Sequence, residues 1–94
     1  MSPRRSAKLE EYQRLLDEAI RMLDRISQDR GVPRNIRRLT TEAIDVLRSE
    51  DASHAVRASK AISMLNEVMG DINMPPQTRS QMLLVIGLLE RIKD

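Results

Sequence analysis

The chain repeats itself at an offset of 42 residues, and that repetition narrows its possible folds more than any other feature. Laid without a gap on 61–91, the stretch 19–49 is identical at nine of 31 positions. Ala19-Ile20 falls on Ala61-Ile62, Met22-Leu23 on Met64-Leu65, Asp29 on Asp71, Pro33 on Pro75, Arg37 on Arg79, Ile44 on Ile86 and Leu47 on Leu89. Random matching at roughly one position in 15 would give about two. One helical hairpin used twice predicts four helices in one small bundle.

The spacing of apolar residues predicts where those helices lie. Leu9, Tyr12, Leu16, Ala19, Leu23 and Ile26 follow a 3-4-3-4-3 pattern, the seam of a bundle helix over about Ala7 to Gln28. Asp29-Arg30-Gly31-Val32-Pro33 ends it, with Gly31 free to take the left-handed conformation and Pro33 suited to a helix start. A second helix over 34–48 is expected to bury Ile36, Leu39, Ala43, Val46 and Leu47. Glu50-Asp51-Ala52-Ser53 is a polar hinge, with Asp51 or Ser53 as the N-cap of the third helix. Ala58, Ala61, Leu65, Val68 and Ile72 continue the seam there; Asn73-Met74-Pro75-Pro76 closes it, and a fourth helix runs from about Gln77 to Ile92. Connections this short favour antiparallel neighbours, so the expected class is all-α, a four-helix up-and-down bundle made of two repeated hairpins. An open two-repeat stack ranks lower, because two repeats bury little surface alone. The expected organisation is one domain over 1–94, with 1–6 a flexible basic extension.

Composition limits what such a bundle can do. With no cysteine and only His54, neither a disulfide, a thiolate site nor a multi-histidine centre can form within one chain. Tyr12 is the sole aromatic residue, so the core is aliphatic and the stacking platforms of single-strand readers are missing. Ninety-four residues leave little room for a deep, separately walled active site. The apolar run Met82–Ile86 is too short to cross a bilayer, and Arg4 and Arg5 lead into Lys8, Glu10 and Glu11 rather than a signal core. A cytoplasmic protein without a membrane partner is expected.

Some motifs are familiar. Val32-Pro33-Arg34-Asn35-Ile36-Arg37-Arg38, then Ala55-Val56-Arg57-Ala58 leading into Ala61-Ile62-Ser63, then Asn73-Met74-Pro75 with Arg79, resemble an archaeal family of small helical proteins, uncharacterised protein family 0147. The resemblance covers roughly 15–93 and leaves the basic extension outside. It implies an archaeal source and a four-helix bundle, and it carries over no activity, cofactor or site residues.

Catalytic readings find little support. Glycine-rich phosphate loops are missing, no serine has a nearby base, and the paired Glu-x-x-His motifs of di-iron bundles do not occur. Asp51-x-x-His54 offers two metal ligands at most, in a capping segment. Histidine phosphotransfer needs a mid-helix histidine with cations on its face; His54 sits in a first turn, with Lys60 off that face. A non-enzyme without metal or cofactor is expected. The methionines Met22, Met64, Met69, Met74 and Met82 suit a core or its margin better than a pliable groove.

Two surfaces remain. Arg34, Arg37 and Arg38 share one helical face with Arg30 in the turn before, a cluster that opposes the helix macrodipole unless an anion or nearby carboxylates (Asp24, Asp29, Glu42) compensate it. Residues 1–48 carry a net +3 and 49–94 a net −1, and 13 of the 16 cations are arginine, which suits phosphate. On the fourth helix, Met82, Val85, Ile86, Leu89 and Ile92 fill a core face, leaving Ser80, Leu83, Leu84 and Gly87 on the opposite side. Two functional readings follow. The first is an interaction module that binds a protein partner, or its own copy, through the fourth helix. The alternative is an RNA- or ribosome-associated protein docking phosphates on the Arg30, Arg34, Arg37 and Arg38 corner.

Overall fold

In the computed structural model, backbone is described for residues 3–93 and side chains for 7–93. Four helices follow in chain order: α1 (Pro3–Ser27), α2 (Arg34–Arg48), α3 (His54–Val68) and α4 (Pro76–Glu90). Each packs on the next, and α1 meets α4, so the ring closes and the open stack is excluded. Across the centre α1 touches α3, where Ala19, Ala58 and Ala61 are wholly buried and let the two backbones approach; α2 and α4 stay apart.

Burial follows the seams. Tyr12, Leu16, Ala19, Leu23 and Ile26 line the inner face of α1, and Ala58, Ala61, Leu65 and Val68 that of α3. Met82, Val85 and Leu89 close the core from α4, with Ile92 just beyond it; Met74 and Met82 are core, while Met22, Met64 and Met69 pack half-buried on its margin. The core is aliphatic apart from Tyr12, whose hydroxyl donates to the Lys93 carbonyl at 2.5 Å and ties α1 to the far end of the chain.

Several expectations are corrected. α1 starts at Pro3 rather than Ala7, so residues 3–6 are helical; Met1 and Ser2 lie outside the described residues. Leu9 is 38% exposed, because the packing level ends near Tyr12 and Lys93, one turn short of it. Ile72 is 93% exposed, because α3 stops at Val68 and leaves it in a turn. In α2 the buried stripe is Ile36, Thr40, Ala43, Ile44 and Leu47, and Leu39 and Val46 are only half-buried beside it. Thr40 is tolerated there because its hydroxyl donates to the Ile36 carbonyl at 2.7 Å. Ile86 is likewise half-buried. Ser53 caps α3, accepting from the Val56 N–H at 3.2 Å, and Asp51 is exposed.

Gly31 does not adopt the left-handed conformation; among the described residues no glycine does. The carboxylate of Asp29 replaces that device by accepting the Gly31 N–H at 2.8 Å, while the Val32 N–H bonds to the Asp29 carbonyl at 3.0 Å. The turn between α3 and α4 is built the same way. Asp71 accepts the Asn73 N–H at 2.8 Å, and the Met74 N–H bonds to the Asp71 carbonyl at 3.1 Å. Side-chain carboxylates that imitate a backbone turn are the known use of Asp at such positions.

Leu23 and Leu65 stand 42 residues apart and both are wholly buried. Leu23→Ala and Leu65→Ala are each expected to lower the unfolding free energy by about 2–5 kcal/mol, and by similar amounts. Urea unfolding followed by circular dichroism measures both, and a near-neutral result at either position contradicts the equivalence of the two hairpins.

Candidate functional site

The arginine corner divides into two kinds of residue. Arg37 is half-buried and folds back, its Nε donating to the Val32 carbonyl at 3.0 Å. Arg79, at the matching place in the second hairpin, donates from Nη1 to the Met69 carbonyl and from Nη2 to the Asp71 carbonyl at 3.1 Å. Arg30, Arg34 and Arg38 are exposed. None of the three has a carboxylate in ion-pair reach: among the described residues the ion pairs are Arg21–Glu18 at 2.5 Å and Arg91–Glu11 at 3.1 Å. Of the acids expected to compensate them, Asp29 is engaged with the Gly31 N–H and Asp24 with the Gln28 side chain, and Glu42 is exposed. The side chains of Arg4 and Arg5 lie outside the described residues, and the Lys8 ammonium stands 5.9 Å from the Tyr12 ring centre.

Both hairpin turns sit at the same end of the bundle, joined by the Asn35 amide donating to Asp71 Oδ2 at 3.1 Å. The Asn73 N–H, then the Asn35 amide, with Arg79 close by, hold the Asp71 carboxyl below the ordinary aspartate value. Exposed Arg30, Arg34 and Ile72 are carried on and beside these turns.

The outer side of α4 is different in character. Ser80, Leu83, Leu84 and Gly87 are all exposed, Leu83 by 57% and Leu84 by 63%. No charged side chain occurs from Ser80 through Leu89. A Cβ added at Gly87 would meet nothing within 4 Å, so packing inside the chain does not account for a glycine that costs the helix about 1 kcal/mol relative to alanine. A surface helix ordinarily sets charge opposite its core face, as α1 does with Glu10, Arg14, Asp17, Glu18, Arg21 and Arg25.

One buried charge escaped the reading of the sequence. Arg57 is nine-tenths buried and donates to the Leu47 carbonyl at 3.1 Å and the Ser53 carbonyl at 3.4 Å, closing the turn between α2 and α3. The available signal was its position 42 residues after Leu15, itself a buried residue. A cleft of about 550 Å³ lies beside it, where Asp17 and Glu50 share the wall with Arg48, His54 and Arg57. His54 begins α3, stands 3.3 Å from Gln13 Oε1 and packs near Tyr12, with ring centres 6.4 Å apart. Among the described residues no three His, Asp or Glu side chains gather as a metal site would require, and no helix is long and apolar enough to cross a membrane.

Asp71 contributes to the acid response. Since its native carboxyl titrates lower than in the unfolded chain, its contribution is complete above about 3.9, the unfolded value, and is lost as pH falls through the native value. Asp71→Asn should therefore be less stable than the wild type at neutral pH, with the difference shrinking below pH of about 4. Urea midpoints measured from pH 7 down to pH 2 test this; a difference constant with pH contradicts it.

Comparison with known proteins places the chain among relatives. Residues 3–92 match the Uncharacterised protein family (UPF0147), including the start of α1 that the sequence motifs alone left outside. A UPF0147 protein of Methanopyrus kandleri is 44% identical over 87 residues, covering 92% of this chain and 84% of the relative. One of Sulfurisphaera tokodaii is 44% identical over 88 residues, covering 94% and 99%. A crystal structure of a UPF0147 protein from Thermoplasma acidophilum aligns with a TM-score of 0.83 at 32% identity, over 89% of this chain and 99% of that one. A second solved protein of unknown function aligns with a TM-score of 0.82 at 38% identity, over 85% and 91%. The chain belongs to the UPF0147 family, an archaeal family of unknown role with an all-α fold.

Proposed function

We propose that this UPF0147 protein is a non-enzymatic interaction module of the cytoplasm, whose working surface is the outward face of α4. The observation that carries the reading is the charge-free run from Ser80 to Leu89 on a helix whose inner face is already in the core. The first hairpin supplies a control within the same chain. Positions Thr41, Glu42 and Asp45 of α2 stand 42 residues before Leu83, Leu84 and Gly87, and all three are exposed and polar. A helix in the same setting therefore keeps an ordinary water-facing surface, whereas α4 does not. Covering Leu83 and Leu84 would contribute on the order of 1.5–3 kcal/mol for each if their full surfaces were buried, less in proportion to what is already covered, before the cost of association.

The wild type immobilised in native archaeal lysate should retain a protein that Leu83→Glu with Leu84→Glu does not, and should do so after ribonuclease treatment. Both substituted side chains are exposed, so the variant keeps its fold by circular dichroism. Identical retention by the two proteins contradicts the reading.

One observation favours a second reading, contact with RNA or the ribosome: Arg30, Arg34 and Arg38 are exposed beside the first turn of α2 without carboxylate partners among the described residues. With no aromatic platform but Tyr12, such contact would be made to phosphates. Replacing Arg30, Arg34 and Arg38 together by alanine should lower the log–log salt slope of RNA binding by about 0.7–0.9 for each phosphate no longer neutralised. Filter binding over a salt series measures it, and an unchanged slope removes the corner. Arg37 is left in place, because it is tied to the Val32 carbonyl.

A further inference from the structure

The outer face of α4 has a symmetry that selects its occupant. Reading outward from the midpoint between Leu83 and Leu84, each direction meets a leucine first and then, three residues farther, a small residue: Ser80 one way and Gly87 the other. All four residues lie on the exposed side. A two-fold contact requires one patch to complement itself, and a helix face that reads the same in both directions does so when crossed by its own antiparallel copy.

Resting on the docking-face reading above, we propose that the occupant is a second copy of this chain, its α4 lying antiparallel across this one with the two-fold axis passing between Leu83 and Leu84. Leu83 then opposes Leu84 of the second copy, and Ser80 opposes Gly87 of the second copy, where small side chains let the backbones approach. The vacant space around Gly87 is what a crossing helix would fill. Charge favours the same arrangement. Although the chain carries +2, no charge lies between Ser80 and Leu89, so two copies meet there without like-charge opposition. At each end, Glu90 reaches the N-terminus of the other copy's α4, the positive end of its macrodipole, while Arg91 is already held by Glu11 at 3.1 Å. One helix against one helix is a small interface, so a weak dimer is expected.

The cysteine-free chain makes the test direct. Ser80→Cys and Gly87→Cys, one of them carrying a mass tag, are oxidised separately and as a mixture. In the antiparallel dimer each cysteine is about 10 Å along the helix from its own copy but opposite the other, and a disulfide spans about 4.4–6.8 Å between Cα atoms. The mixture should cross-link at least about tenfold more than either variant alone. Sedimentation of the wild type from about 10 µM to 1 mM should pass from monomer to dimer, and Leu83→Glu with Leu84→Glu should remain monomeric throughout. A wild type that stays monomeric, or cysteines that cross-link as readily to themselves, overturns the proposal. If that monomer still retains a lysate protein that the double variant does not, the second copy is wrong and the docking face stands. A dimer that persists in the double variant overturns the second copy on this face, and retention by both proteins overturns the docking face too.

Discussion

Helix ends without left-handed caps are the constraint around which this bundle is organised. An α-helix leaves its last carbonyls without internal partners, and a glycine in the left-handed conformation commonly helps to satisfy them. No glycine takes that conformation among the described residues, so the donors come from elsewhere. At two helix ends an arginine supplies one, Arg57 to Leu47 at the end of α2 and Arg79 to Met69 at the end of α3. The same side chains also reach the turn carbonyls of Ser53 and Asp71, and Arg37 reaches that of Val32 in the turn between α1 and α2. A guanidinium presents several N–H groups in a rigid fork, which lets one side chain serve two carbonyls of a turn. The aliphatic core supplies the driving force, but these contacts fix how tightly the chain can reverse and therefore which faces meet.

Electrostatics read from composition is misleading in such a molecule. The sequence counts arginine as a tool for binding anions, yet three arginines work inside the turns, against the partial negative charge of carbonyl groups. Arg37 resembles Arg34 and Arg38 in the sequence because all three share a helical face; only its position 42 residues before Arg79 marks it as different. Six of the nine identities between the halves are apolar positions in or against the core, and the other three have such duties in the turns. Asp29 and Asp71 shape the turns, Pro33 and Pro75 precede the helices, and Arg37 and Arg79 close the turns. Positions that differ between the halves include Arg57 and Asn35, which also serve turns, and the exposed residues on which functional readings rest.

The architecture is legible because seam spacing and short connections are local signals that packing reinforces. Leu23, Leu65 and Leu89 follow from periodicity alone. Leu9 and Ile72 mislead because periodicity continues past the point where neighbouring helices stop, and nothing in a 3-4 pattern records the length of a partner. Thr40 and Arg57 escape for another reason: a polar side chain enters a core when a carbonyl is placed to receive it, and that carbonyl belongs to the backbone geometry. Periodicity also sets Ser80, Leu83, Leu84 and Gly87 away from the core, and away from it they lie.

The two hairpins thus share one scaffold and differ in what they show to solvent. On the first, Arg30, Arg34 and Arg38 are followed by Thr41, Glu42 and Asp45; at the same offsets the second carries Ile72, Pro76, Ser80, Leu83, Leu84 and Gly87. A bundle held only by its core would accept charge equally on both outer faces, since solvated charge costs little there and favours solubility. One outer face here is charged and the other has no charge between Ser80 and Leu89. The fold needs no such asymmetry, because the buried seam of α4 is complete without Leu83 and Leu84. On the reading proposed above, those leucines serve a contact outside the monomer rather than the fold of α4 itself.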